Sequence, residues 1–180
     1  AYEIGVRLVG SEMCIRDSIN YSAGDCRQFL KRMIEFSLQV EARIIRAVLP
    51  ELEKLFALSV KGEDFSEILP DFDDPDFKEA WIEGLKHEAK DDRNALARLL
   101  KSPRFKYGRV ELEESDVDDL LRGLTAIRFT IRKTSLKEVS DEELETGMSS
   151  ISSKHPEVQI GYFAYLLMAE VQERLIQEIS

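Results

Sequence analysis

Residues that build covalent or metal-bound frameworks are scarce in this chain, which has two cysteines and two histidines among 180 residues. Two cysteines cannot form the disulfide framework of a small secreted domain. Long apolar runs are also missing, because the longest, residues 162–169, is far shorter than the roughly 20 residues that span a bilayer. Positive charge is in deficit, with 25 Lys and Arg against 35 Asp and Glu and a net charge of −10. This balance disfavours non-specific nucleic-acid binding, which requires basic side chains to neutralise phosphates.

The composition is that of a protein with a hydrophobic core, since 43% of the residues are hydrophobic and 33% are charged. A length of 180 residues suits one domain and is short for two. No segment resembles a signal peptide, and the few cysteines fit a reducing compartment. We therefore predict a cytoplasmic protein without a membrane segment, with a single helical domain over residues 19–180.

The first 18 residues are predicted to be foreign to the protein. Residues 12–18, Glu-Met-Cys-Ile-Arg-Asp-Ser, resemble the translation of a transposon-end adapter used in preparing sequencing libraries, and both flanking codons fit the same reading frame. Such a segment is excluded from fold reasoning, so we expect residues 1–18 to contribute nothing to the fold and the authentic start to be missing. The alternative is an ordinary strand in which Ile4, Val6 and Leu8 share one face.

Apolar residues at helical spacing predict four main helices. The first covers residues 25–60, where Pro50 is expected to kink the helix or to begin a new one. The third covers residues 114–134, and residues 115–118 fit a capping box at its start. The last begins at Pro156 and runs to about residue 179.

The second predicted helix has the clearest start signal. Asp74 offers an N-cap carboxylate, and Pro75 suits the first helical position. The helix is expected to run to about residue 101, and Phe77, Trp81 and Leu85 belong to its predicted buried face.

The connecting segments are predicted from turn and capping residues. Residues 104–112 alternate in character and are expected to be extended, residues 140–143 carry a second capping signal, and the Gly/Ser-rich residues 146–154 are expected to be mobile. The predicted fold class is an all-α bundle of about four main helices, with at most a short β-ribbon near residues 105–112.

One face of the second helix carries potential metal ligands, Glu79, Glu83 and His87, spaced four residues apart. These ligand types would suit a metal-dependent helical-bundle enzyme. A di-iron bundle, however, needs Glu-x-x-His motifs on two helices, whereas the other histidine, His155, precedes a proline. A solvated helix face is the favoured interpretation, so neither a metal nor another cofactor is predicted.

The basic residues of the third helix form another candidate site. Residues 122–137 contain no acid and include Arg122, Arg128, Arg132 and Lys133. Such a helix is typical of a nucleic-acid surface, and a transcriptional regulator is the corresponding alternative function. The favoured interpretation is structural, because acids in the first turn and bases near the end compensate the helix dipole.

Motifs for catalysis are missing from the sequence. Cys26 precedes Arg27 near a predicted helix start, which favours its thiolate. No His or Asp is suitably placed for a protease-type site, and an inert thiol is favoured over a redox sensor. There is no Gly-rich phosphate loop, no nucleophile elbow and no zinc-ligand spacing. We therefore predict that the chain is not an enzyme.

Three segments resemble an uncharacterised bacterial family, the domain-of-unknown-function family 2017. They are Leu-Pro-Asp-Phe-Asp-Asp at 69–74, Val-Glu-Leu at 110–112 leading into residues 120–128, and the carboxy-terminal residues 165–175. The resemblance implies a helical protein without assigned catalytic residues, encoded by genes that often neighbour the adaptor of the Clp protease. It implies regulation or protein association, and it carries over no functional residue.

The function predicted from these observations is that of a non-enzymatic, cytoplasmic bacterial regulatory or protein-interaction domain. A protein partner or a homo-oligomer is expected. Nucleic-acid binding through residues 122–137 is the first alternative and metal-dependent catalysis is the second.

Overall fold

The computed structural model describes residues 32–59 and 74–180. Within these ranges the elements, in chain order, are β1 (Met33–Ser37), α1 (Ala42–Ser59), α2 (Pro75–Lys101), β2 (Arg109–Glu113), α3 (Val117–Lys133), α4 (Asp141–Thr146), α5 (Met148–Ile151) and α6 (Pro156–Ile179). The predicted all-α bundle with a short β-ribbon is confirmed, and its main helices are α1, α2, α3 and α6. Segment 1–18, which is predicted to be foreign, lies outside the described residues, as do Cys26 and most of segment 69–74.

Helix α3 packs against α1, α2 and α6, and α1 also packs against α6. Its buried side chains recur three or four residues apart, as the apolar spacing predicts. They join the buried side chains of the other main helices and of both strands in one hydrophobic cluster. The described residues therefore share a single core, and α3 has one remaining face toward solvent.

The short β-ribbon is an antiparallel pair of β1 and β2, in which Ile34 lies opposite Leu112 and Phe36 opposite Val110. All four side chains are buried on the face that packs on the helices. The prediction of helix from residue 25 onward is therefore wrong over β1, where buried and exposed residues alternate. Strand geometry prevails there because β2, far along the chain, supplies the hydrogen-bonding partner.

Helix α1 runs without interruption from Ala42 to Ser59 and contains Pro50 in its interior. A new helix therefore does not begin at Pro50. Residues 104–112 are only partly extended, because Phe105–Tyr107 forms a 3-10 turn before β2.

Helix α2 begins where its capping residues predict, because Asp74 accepts hydrogen bonds from two backbone amides of the first turn and Pro75 is the first helical residue. Its predicted buried face is wrong in part: Phe77 and Trp81 are about half exposed, and Leu85 is partly buried. The deeply buried residues lie near the other end, where α2 contacts β2 and α3. They are Ala95, Leu96, Leu99 and Leu100.

The two predicted capping boxes have different outcomes. At the start of α3, which the chain enters directly from the 3-10 turn Glu114–Asp116, no side-chain cap forms. The carboxylate of Asp116 pairs there with Arg98 at 2.9 Å. At the start of α4 the box is present between Ser140 and Glu143. Residues 146–154, expected to be mobile, contain the short helix α5, which buries Ile151. Burial of this apolar side chain favours an ordered turn over an open loop.

Glu143 also connects α4 with the segment before α6. Its carboxylate lies 2.6 Å from Nζ of Lys154. The hydrogen bond from Lys154, together with the amide of Ser140, holds the pKa of Glu143 below its usual value. The segment between α3 and α6 is thus stabilised by this ion pair as well as by the buried Ile151.

Candidate functional site

The basic stretch of α3 is bound largely by other groups of the protein. The Nε of Arg122 donates to the Asp92 carboxylate of α2 at 2.9 Å, and another nitrogen of the same guanidinium donates to Asp119 at 2.6 Å. Burial lowers the pKa of Arg122, but the bond to Asp92 and the nearby carboxylates outweigh it and raise that pKa. Burial raises the pKa of Asp92 despite the opposing effect of Arg122. Arg122 therefore serves first to hold α2 and α3 together.

Arg128 lies between α3 and α6 and binds neutral acceptors. It donates to the side-chain oxygen of Gln172 at 2.7 Å and to the Tyr165 hydroxyl at 3.0 Å, while its guanidinium lies 4.7 Å from the centre of the Tyr165 ring. Among the described residues, no carboxylate lies within ion-pair distance of Arg128. Its buried Nε has no hydrogen-bond partner in that part of the chain. Arg128 therefore joins α3 to α6.

The remaining two basic candidates, Arg132 and Lys133, differ in their contacts. Arg132 donates to the backbone carbonyl of Leu136 and to the Asp141 carboxylate, the latter at 2.9 Å, so it fastens the end of α3 to α4. Lys133 lies with its Nζ 4.3 Å from the centre of the exposed Phe129 ring. Of the four basic residues named as a nucleic-acid site, three donate to acceptors inside the protein and Lys133 covers an aromatic ring.

A groove of about 500 Å³ runs along the outer side of α3 and α6. Its lining is mostly apolar. Phe129 and Ile176, on opposite walls, are 59% and 46% exposed. Across the floor, Gln172 donates to the Thr125 hydroxyl at 3.2 Å and so fixes the spacing of the helices. We call this site the α3–α6 groove; its main lining residues are Leu121, Thr125, Ala126, Phe129, Gln172 and Ile176.

Sequence reasoning missed the two apolar residues that distinguish this groove. Phe129 stands inside the basic stretch and Ile176 near the end of the last helix, and the charge pattern points to neither. A signal was present for Phe129, because it falls outside the buried three-and-four spacing set by Ile127 and Ile131. An apolar side chain on the polar side of an amphipathic helix indicates a contact surface.

The metal candidates lie along the outer side of α2. Glu79, Glu83 and His87 are exposed, and His87 Nε2 lies 3.5 Å from the Asp91 carboxylate. Within residues 32–59 and 74–180, no group of three or more His, Cys, Asp or Glu side chains is placed to hold a metal ion. The helix brings these residues to one face, as their spacing predicts, but adds no ligand from a second element.

Another cleft, of about 360 Å³, lies between α1 and the start of α6 and includes His155. Both of its lysines are ion-paired within the cleft: Lys54 lies 3.4 Å from Glu51, and Lys137 lies 3.8 Å from Glu138. The α3–α6 groove differs in having apolar walls that no described element covers.

No helix in the part of the chain that the structure describes is both long and apolar enough to cross a lipid bilayer. Comparison of the sequence with protein-family models, with curated proteins and with solved structures gave no match. The resemblance to the domain-of-unknown-function family 2017 thus stays a prediction.

Proposed function

We propose that this chain is a non-enzymatic, cytoplasmic protein-interaction domain of a bacterial regulatory protein, and that it binds a protein α-helix in the α3–α6 groove. The observation that carries the proposal is the exposure of Phe129 and Ile176 on the two walls of one apolar groove. The regulatory role and bacterial source follow the family resemblance, and the cytoplasmic location follows the composition.

The shape of the groove favours a helix as the bound element. Contacts between Thr125 and Gln172, and between Arg128 and Tyr165, follow from α3 and α6 running antiparallel beside each other. Two such helices present a furrow into which the side-chain ridge of a third helix packs at an axis distance of about 8–10 Å. Peptide helices bind other proteins in this way, with apolar anchors on one face.

Charge at the two ends of the groove defines the chemistry of the bound helix. Asp118 in the first turn of α3 is exposed, and so is Lys133 in the last turn. Neither has an oppositely charged side chain within ion-pair distance among the described residues. The matching helix therefore carries a basic residue near Asp118, an acidic residue near Lys133 and apolar anchors between them.

The arrangement of the arginines supports protein association over phosphate binding. A phosphate-binding surface needs guanidinium groups that are available to the backbone of the nucleic acid. Arg122 and Arg132 are ion-paired with Asp92, Asp119 and Asp141. A phosphate would have to displace these carboxylates, at a cost to the contacts that hold α3 in place.

The proposal is tested with a helical probe of defined chemistry. A fluorescent, alanine-rich peptide of about 20 residues carries glutamates at its start, two phenylalanines one helical turn apart at its centre and lysines at its end. Fluorescence anisotropy is expected to show saturable binding that weakens at least about tenfold in Phe129→Ser, because an apolar anchor dominates such contacts. Leu58→Ser is the matched control, since Leu58 is 45% exposed on α1 and lies outside the groove.

Two outcomes contradict the proposal. One is equal peptide binding by the Phe129→Ser and Leu58→Ser variants. The other is absence of peptide binding together with salt-sensitive, micromolar binding of random duplex DNA, which supports the alternative function through Arg122, Arg128, Arg132 and Lys133.

A further inference from the structure

The outer face of α3 carries charged and apolar side chains in a self-complementary order: the sequence read from one end of the face complements the sequence read from the other end. Asp118, Arg122, Phe129 and Lys133 are exposed and follow helical spacing along this face. The small exposed residues Thr125 and Ala126 stand at its centre. We call this face the α3 stripe; its residues are Asp118, Arg122, Thr125, Ala126, Phe129 and Lys133.

Reversal about the centre of the stripe matches each residue with a complementary one. The midpoint between Thr125 and Ala126 is equally far in sequence from Asp118 and Lys133, and also from Arg122 and Phe129. An acid is thus matched with a base, and a cation with an aromatic ring. A two-fold axis through this midpoint would place every residue of the stripe opposite its match on a second chain.

We propose that the helix bound in the α3–α6 groove is α3 of a second copy of this chain, lying antiparallel about this axis. This inference rests on the proposed function and names its partner. Asp118 of each copy pairs with Lys133 of the other, at points separated by about 22 Å along the helix from the 1.5 Å rise per residue. These are the two groove-end charges that have no oppositely charged side chain within ion-pair distance among the described residues.

The centre of the contact combines small residues with an aromatic anchor on each side. Thr125 and Ala126 allow the two α3 backbones to approach closely at the axis. Each Phe129 enters the groove of the other copy near Leu121, with its ring against the Arg122 guanidinium. That guanidinium is held in one orientation by its two carboxylate partners, so it presents a fixed planar face for a cation–π contact. Lys133 covers one face of Phe129 within a chain, which leaves the second face of the ring available.

The experiment measures self-association by sedimentation of the full chain over a concentration series to about 1 mM, because a contact along two helices is a small interface. Asp118→Lys and Lys133→Asp are each expected to weaken dimer formation at least about tenfold, since like charges then face each other at both ends. An equimolar mixture of the two variants is expected to regain dimerisation to within about threefold of the unchanged chain. In a dimer that contains one chain of each variant, an acidic side chain again faces a basic one at both ends of the contact.

The mixture of the two variants distinguishes loss of the antiparallel pairing from a general weakening of α3. Asp118 lies in the first turn and Lys133 in the last, so either reversal also weakens α3 slightly through the helix dipole. A merely weakened α3 stays weakened in the mixture, so restored association there supports the antiparallel register. Lys78→Asp, an exposed charge reversal on α2, is the control and is expected to leave the dimer unchanged.

Two results overturn this inference. One is a chain that stays monomeric at every concentration, and the other is a mixture that associates no better than its separate components. The proposed function is judged separately, by the helical peptide: peptide binding by a monomeric chain overturns the second copy as occupant and leaves the helix-binding groove in place. A chain that neither self-associates nor binds the peptide overturns both the second copy as occupant and the helix-binding groove.

Discussion

Replacing Phe105 by alanine is expected to lower the free energy of unfolding by about 3–5 kcal/mol. The Phe105 side chain is fully buried on the 3-10 turn between α2 and β2, in a part of the chain that also contacts α1. Truncation removes the transfer free energy of the ring and leaves a cavity that three packed elements cannot close. A loss of this size is a large part of the roughly 5–15 kcal/mol that stabilises a typical domain.

Tyr107 provides the matched control for this substitution. It is an aromatic residue on the same turn, but it is 60% exposed. Tyr107→Ala is therefore expected to change the free energy of unfolding by less than about 0.5 kcal/mol. Urea unfolding followed by circular dichroism measures both variants, and similar losses in the two would contradict the position of Phe105 in the core.

Replacing Gly123 by alanine is expected to destabilise the protein by about 1–3 kcal/mol, even though alanine favours helix. A Cβ atom at this position would lie 2.7 Å from the backbone oxygen of Asp92 and 3.3 Å from Cβ of Leu96, both on α2. Backbone atoms cannot rotate away as a side chain can. The substitution therefore forces α2 and α3 apart and strains the ion pair between Asp92 and Arg122.

Gly84→Ala tests the same chemical change without the close contact. Gly84 is an exposed residue in α2, and a Cβ atom there would meet nothing within 4 Å. The helix propensity of alanine then acts alone, so the free energy of unfolding is expected to rise by up to about 1 kcal/mol. If thermal unfolding shows that Gly123→Ala is as stable as Gly84→Ala, the close approach of α2 and α3 is wrong.

Features encoded by a few neighbouring residues could be predicted from the sequence. The N-cap at Asp74, the helix start at Pro156 and the capping box at Ser140 are local, and the structure confirms all three. Strand β1 could not be predicted in this way, because its partner β2 lies more than 70 residues later and the two strands stabilise each other. The half-exposure of Trp81 could not be predicted for the same reason, because helical spacing identifies an apolar face but not the element that packs on it.

The candidate site was predictable only as a charge pattern. The run of basic residues in α3 is visible in the sequence, but the partners that bind them come from distant positions. Asp92 belongs to α2 and Gln172 to α6, and neither distance along the chain indicates the contact. The α3–α6 groove likewise requires Phe129 and Ile176 to meet across two helices. A tertiary contact of this kind has no signature in a single helix.

The most direct measurement of the central claim, that α3 binds α3 of a second copy in the groove, is disulfide trapping at Ala126. Cys14 and Cys26 are first replaced by serine, and Ala126→Cys is then compared with Thr134→Cys under the same mild oxidation. Thr134 is exposed at the end of α3 and takes no part in the proposed contact. Near the two-fold axis, the Cα atoms of the two cysteines introduced at position 126 are expected to reach the roughly 5.5–6 Å that a disulfide requires. Cysteines introduced at position 134 would be displaced along the antiparallel helices by about 25 Å. We predict rapid formation of a covalent dimer by Ala126→Cys and none by Thr134→Cys; equal rates in the two variants would contradict the proposed contact.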